Sequence, residues 1–374
     1  MMRKGRNVIV LASAFALSAG LLAGCGSSSS SSSSDTEESS EETSEESSSS
    51  SSSGGEISIF IWTEYVPDEV IEQFTEETGI KVNVTTASSN EDILAKVKAE
   101  SDGTYDIVQP SDYMVEQMAE QGMLAELDHD LLTNLSNIGE EYLDPDYDPG
   151  NVYSVPYQGG VAAIGVNTDR VDIEITSYDD LFDEALKGSI VALDDYRAVI
   201  GMTARSMGYS MNETDPDILA EIEEKLLTLK DNIKVYDSDS PKSSMISGDC
   251  TVCFCWNAEI ALSMEENDAI EVVFPEEGPY VFMDNWCILE TSEHYDEAME
   301  FINYMLRADV AVAVAEEYPY LNANAAAVEM MGSEYTDNEA KNPPAEVIAS
   351  GEYVANLDTE TLEIYNSMWT NLKN

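Results

Sequence analysis

The chain has 374 residues, of which 74 are acidic and 17 basic, giving a formal net charge of −57. So strong a negative balance repels phosphate backbones and anionic lipid surfaces, and argues against nucleic acid as a partner. The length leaves room for two domains of ordinary size behind a terminal extension.

Arg3, Lys4 and Arg6 give a basic start, residues 8–22 are almost wholly apolar or small, and Leu22-Ala23-Gly24-Cys25 closes the stretch. This is a signal-peptide layout, too short for a stable membrane span. Its ending resembles a bacterial lipoprotein signal. The resemblance implies cleavage after residue 24, a lipid on Cys25, and an extracytoplasmic protein anchored to the cell membrane. Loss of residues 1–24 removes three basic and no acidic residues, taking the net charge from −57 to −60. Residues 25–55 then form a Ser/Glu tether ending in Gly54-Gly55. Lacking apolar side chains and repelling itself, that segment is expected to stay disordered and extended.

From Glu56 onward strands and helices alternate. Ile57–Ile61 reads as a strand; Pro67 suits a first helical turn, with Val70, Ile71 and Phe74 on one face and Gly79 as the stop. Lys81–Val84 alternates as a strand, Asn90 is placed to cap a helix carrying Ile93, Leu94 and Val97, and Tyr105–Val108 is again a strand. Ser111 is placed to cap the next helix, which carries Val115 and Met118. This rhythm predicts an α/β fold with a mainly parallel sheet, where ligands gather at the carboxyl ends of the strands. Trp62–Tyr65 and Ser111–Tyr113 lie at such ends.

Cys250, Cys253, Cys255 and Cys287 remain besides Cys25. Cys250–Trp256 reads as a buried strand, with Cys253 and Cys255 on one side. With only His129 and His294 in the chain, no second ligand pair stands at metal-binding spacing, so no metal and no cofactor is expected. Whether the thiols pair stays open. No nucleophile elbow or His-Glu-x-x-His helix points to an enzyme.

A set of motifs then carries a specific likeness. Trp62-Thr63-Glu64-Tyr65-Val66-Pro67, Phe74–Ile80, Ser89-Asn90-Glu91 and Tyr105–Ser111 resemble the polyamine-binding proteins of ABC importers, the spermidine/putrescine type. The likeness continues through Leu132–Asn137, Ser154–Tyr157 and Ala163–Asn167, and returns at Cys255-Trp256-Asn257, Val273–Gly278 and Phe282-Met283-Asp284. It implies a type II periplasmic-binding fold with a ligand cleft between two lobes. Transferred to this numbering, lobe one covers residues 56–160 plus 283–328 and lobe two 161–282 plus 329–374.

The chemistry of such a cleft can be stated without the family. A linear polyamine is a methylene chain bearing ammonium groups. Aromatic faces cover the methylenes and attract the cations, each contact worth roughly 0.5–2 kcal/mol. Carboxylates must pair each buried ammonium. The resemblance assigns Trp62, Thr63 and Tyr65 to an aromatic box, with Ser111 and Tyr113 lining the same lobe. It assigns Asp195 to one amine, Trp256 to the methylene chain, Asp284 to the other amine, and Tyr320 to the closing wall. Departures from the spermidine type are Ala198 for a second acid, Phe282 for a tryptophan, and Thr370 for a glutamine. Glu259, three residues after Trp256, matches an acid of putrescine-type members, and the pattern leans towards putrescine or mixed specificity, with Glu259 and Asp284 sharing one amine.

The resemblance further implies a monomer that closes about its ligand and passes it to an ABC permease. The ATPase is a separate subunit, since this chain has no glycine-rich phosphate loop. Two other classes stay open: the same fold with another solute (a sugar, an amino-acid derivative, or ferric iron held by tyrosines such as Tyr318 and Tyr320), and an extracellular enzyme.

Overall fold

The computed structural model describes residues 54–374. The signal segment, Cys25 and most of the tether lie outside the described residues. Among the latter no helix is long and apolar enough to cross a membrane.

The first half alternates β1 (Glu56–Trp62), α1 (Asp68–Thr78), β2 (Lys81–Ala87), α2 (Asn90–Ala99), β3 (Ile107–Val108) and α3 (Asp112–Glu120). Its strands pair in parallel, β1 lying between β2 and β3. Pro67 stands at the N-cap of α1, Val70 and Phe74 are buried, and Gly79 ends the helix at φ 77°, its N–H donating to Thr75 O. Two caps differ from expectation. Ser89, not Asn90, caps α2 by accepting from the Asp92 N–H, while the Asn90 amide is engaged with Ser111. Ser111 starts α3 without a side-chain cap, because its hydroxyl donates to Asp284 instead.

The long strand β4 (Ser154–Asn167) is buried along its whole length and begins the second half. There follow β5 (Ile190–Ala192), α4 (Tyr196–Arg205), α5 (Pro216–Leu229), β6 (Ile233–Tyr236), α6 (Lys242–Ile246), β7 (Val252–Trp256), α7 (Asn257–Glu266), β8 (Ile270–Val273) and β9 (Tyr280–Ile288). β5 pairs in parallel with both β6 and β7. The sheet order is β2-β1-β3-β9-β4-β7-β5-β6, with β8 and the short β10 (Leu321–Asn322) on β4 and β11 (Glu352–Tyr353) on β9. The expectation of a mainly parallel sheet therefore holds within each half. The two parallel sets are joined by β4 and β9, which are antiparallel to each other and to the strands beside them in that order.

All four described cysteines are buried and free of disulfides; the Cys255 thiol points at Cys253 Sγ, 3.1 Å away, on one face of β7. The β8–β9 turn depends on Gly278. Its φ is 85°, and a Cβ there would stand 1.9 Å from Ser350 O. Gly278→Ala is therefore expected to destabilise the protein by roughly 1–3 kcal/mol. Thermal unfolding would check this, an unchanged midpoint contradicting the strain argument.

Candidate functional site

The carboxyl ends of the parallel strands from both halves converge on one cavity, as the geometry of such sheets requires. Trp62, Thr63 and Tyr65 leave the end of β1, Ser111 follows β3, Asp195 follows β5, and Trp256 ends β7. Phe282 and Asp284 alternate on one face of β9, and Tyr320 precedes β10. The cavity holds about 580 Å³ of space, counting solvent at its open side.

Asp284 is the best-buried acid lining it, 4% exposed. Tyr65 OH donates to its Oδ2 at 2.7 Å and Ser111 Oγ to its Oδ1 at 2.6 Å. Burial nevertheless pushes its pKa up to about 7, outweighing these hydrogen bonds, which favour the charge. Trp62 stands near enough to favour that charge as well, but its Nε1–H makes no hydrogen bond of ordinary geometry. Asp195 caps α4, its Oδ1 accepting from the N–H of Arg197 and Ala198 at 2.8 and 3.0 Å. Burial, and then the charge of Glu91, raise its pKa to about 6. Neither carboxylate forms a salt bridge among the described residues. Three acids thus line the cavity: Asp239 is exposed to solvent, and the two more deeply placed ones, Asp195 and Asp284, have no ion-pair partner among the described residues, although the Arg197 charge eases that of Asp195 without pairing with it.

Aromatic rings brace one another around these acids. Trp256 meets Phe282 edge-on with centroids 5.0 Å apart, Phe282 meets Tyr320 at 6.2 Å, and Tyr320 leans on Tyr65 at 4.9 Å. Two buried polar atoms of cavity residues, Trp62 Nε1 and Ser238 Oγ, have no hydrogen-bond partner among the described residues. Buried orphans of this kind call for a ligand or water.

Nine of the residues singled out from sequence line the cavity: Trp62, Thr63, Tyr65, Ser111, Asp195, Trp256, Phe282, Asp284 and Tyr320. Tyr113 and Glu259 do not. The Tyr113 hydroxyl donates to Glu91 Oε1 at 3.1 Å, and its ring carries the Arg197 guanidinium 5.5 Å from the centroid. Glu259 is engaged by Lys242, whose Nζ lies 2.9 and 3.1 Å from its two oxygens and also contacts Glu64. The expectation that Glu259 and Asp284 share one amine thus meets an acid already paired with a lysine of its own chain. Burial raises the Glu259 pKa against the pull of Lys242. Burial works against the charge of Lys242 too, but Glu259 and Glu64 together hold its pKa above the ordinary lysine value.

Ala87, Ser88, Asn90, Ser238, Asp239 and Tyr280 also line the cavity and escaped the sequence reading. Strand position was the available signal. Ala87 and Ser88 close β2, Ser238 and Asp239 follow β6, and Tyr280 shares the face of β9 that carries Phe282 and Asp284.

The model of the bacterial extracellular solute-binding proteins matches residues 69–344. The chain is 39% identical over 313 residues, 83% of its length and 90% of the relative's, to the spermidine/putrescine-binding periplasmic protein of Escherichia coli. It is 29% identical to the putrescine-binding periplasmic protein PotF of the same organism, over 85% of this chain and 91% of the relative. Among solved structures, the spermidine/putrescine ABC transporter substrate-binding protein PotD from Streptococcus pneumoniae superposes with a TM-score of 0.73 at 34% identity, covering 86% of this chain and 99% of that one.

Proposed function

The chain belongs to the bacterial extracellular solute-binding proteins, and from that membership we propose that it captures a polyamine, putrescine or spermidine, and delivers it to an ABC permease. The observation that carries this reading is the pair of acids, Asp284 and Asp195, left without a cation inside an aromatic cavity. A sugar would leave both charges unpaired, whereas a linear diamine supplies one ammonium to each and lays its methylenes along Trp256, Phe282 and Tyr320. Tyr65 and Ser111 keep Asp284 oriented so that its remaining lone pairs meet the amine.

In this reading the lobes divide at residues 160/161, 282/283 and 328/329, and the first two divisions lie together, Gly160 facing Phe282 in the β4–β9 pair. A bend there carries residues 161–282 against residues 56–160. Closure brings Glu64 and Glu91 to Lys242 and Tyr196, pairs that already span this division. The closed form is the one a permease recognises, and ligand stabilises it through its higher affinity for that state. The protein works as a monomeric carrier without catalysing a reaction, held at the outer side of the cell membrane by a lipid on Cys25. The relative Tp0655 of Treponema pallidum, 26% identical with a TM-score of 0.74 and named a lipoprotein, supports that anchor.

Isothermal titration with putrescine, cadaverine, spermidine and spermine at two salt concentrations tests the reading. One-to-one binding at micromolar affinity or better that survives moderate salt is expected for at least one amine. Weak binding of all four that vanishes with salt would mean only the acidic surface is titrated, and the polyamine reading fails.

A further inference from the structure

Lys242 places an ammonium of the chain's own beside the ligand cavity. It opens α6, three residues beyond the cavity residue Asp239. Its two acidic partners stand just behind the cavity wall, each beside a lining residue: Glu64 lies between Thr63 and Tyr65, and Glu259 sits one helical turn beyond Trp256. The side chains of Lys242 and Glu259 are only 18% and 4% exposed, so the pair is shielded from solvent screening. Glu64 is the chain neighbour of Tyr65, whose hydroxyl donates to Asp284, so Lys242 and its two acids stand on the Asp284 side of the cavity.

Resting on the polyamine reading above, we propose that Lys242 is a specificity-determining residue: its ammonium fills the acidic subsite of Glu64 and Glu259, so the cavity is matched to a diamine and repels a triamine. Two ligand cations find Asp284 and Asp195. A third, extending past Asp284, meets a like charge where it would otherwise meet two carboxylates. Discrimination of this kind is achieved through repulsion as much as through attraction. Exposed pairs elsewhere, such as Lys187–Asp231, are in solvent and touch no cavity residue. Lys242 is set apart by sharing two acids drawn from segments that both line the cavity.

The test is titration of putrescine and spermidine into the wild-type protein and into the Lys242→Met and Lys242→Arg variants. Lys242→Met keeps the apolar stem and removes the charge. It is expected to raise spermidine affinity relative to putrescine at least about tenfold, or about 1.4 kcal/mol. Lys242→Arg keeps the charge and is expected to leave the ratio near the wild-type value. An unchanged ratio in Lys242→Met, including equal weakening of both amines, overturns the proposal and leaves Lys242 as a structural ion pair. Should Lys242→Met fold poorly because Glu259 is left buried and unpaired, Lys242→Gln keeps a hydrogen-bond donor for Glu259 while removing the charge. There the ratio is likewise expected to rise above wild type, and an unchanged ratio again overturns the proposal. Failure of the wild-type protein to bind either amine is a separate result that sinks the polyamine reading itself.

Discussion

Replacing Asp284 by alanine is expected to weaken amine binding by roughly 3–5 kcal/mol, more than a hundredfold, because the variant strands a desolvated ammonium opposite an empty site. The carboxylate is 4% exposed, and its hydrogen bonds from Tyr65 and Ser111 hold it in place. A nearby acid cannot substitute for it: Glu259 is committed to Lys242, and Asp112 spends its oxygens on the N–H groups of Tyr113 and Met283. The same change should leave the unliganded fold intact or make it more stable at neutral pH. Burial raises the pKa of Asp284 to about 7, so keeping it ionised above that pH works against the native state. Lost binding with an unchanged or raised unfolding midpoint would therefore mark Asp284 as a ligand residue rather than a structural one. Near wild-type affinity in titration calorimetry would remove it from the site.

Much of this arrangement was legible in the chain because strand ends leave a local signature. The β1, α1 and β2 elements follow from period-two and helical patterns, punctuated by Pro67 and Gly79, and the structure realises them. Those patterns stop at the crossovers. β4 and β9 are buried along their whole lengths, so neither shows the alternation that would reveal antiparallel pairing. The cavity residues found from sequence were those embedded in recognisable motifs, such as Trp62-Thr63-Glu64-Tyr65. Most of those missed are small or polar groups, such as Ser88, Ser238 and Asp239, whose placement depends on which strand ends come together; Tyr280 was missed because its strand, β9, shows no alternation to tell its two faces apart. Glu259 shows the same limit from the other side. Its spacing from Trp256 is visible, but its engagement with Lys242 arises from the packing of α6 on α7 and has no local sign. Asn90 likewise looked like a cap, and only the fold reveals that its amide serves Ser111 while Ser89 takes the capping role.

Affinity for the amine should fall steeply as the pH is lowered from 8 to 5. Polyamine ammonium groups, like lysine, stay protonated throughout this range, so the titrating partners are the protein's acids. In the unliganded cavity Asp284 takes up a proton below about pH 7 and Asp195 below about pH 6. Only the ionised acids pair with a cation, so at low pH binding must first expel these protons. At pH 5 Asp284 lies two units below its raised pKa, which alone weakens binding roughly a hundredfold, about 2.7 kcal/mol. Asp195 adds a smaller loss in the same direction. Stability of the unliganded protein runs the opposite way. Both native pKa values lie above the unfolded value, so the stabilisation is full below about pH 4, is lost progressively as the pH rises, and is gone above the native values of about 6 and 7. Ligand supplies the missing counter-charge, and the increase in unfolding midpoint on adding amine should be larger at pH 8 than at pH 5. Titration at pH 6 in two buffers of different ionisation heat is expected to show about 1.4 protons released per ligand, roughly 0.9 from Asp284 and roughly 0.5 from Asp195, falling to none near pH 8.5. Ordinary surface carboxylates, with pKa values near 4, are already ionised across this window and do not mimic the effect. A flat affinity between pH 5 and 8 with no proton release would show that Asp284 and Asp195 are ionised before the ligand arrives. The cavity would then hold two bare charges through some stabilisation other than the amine.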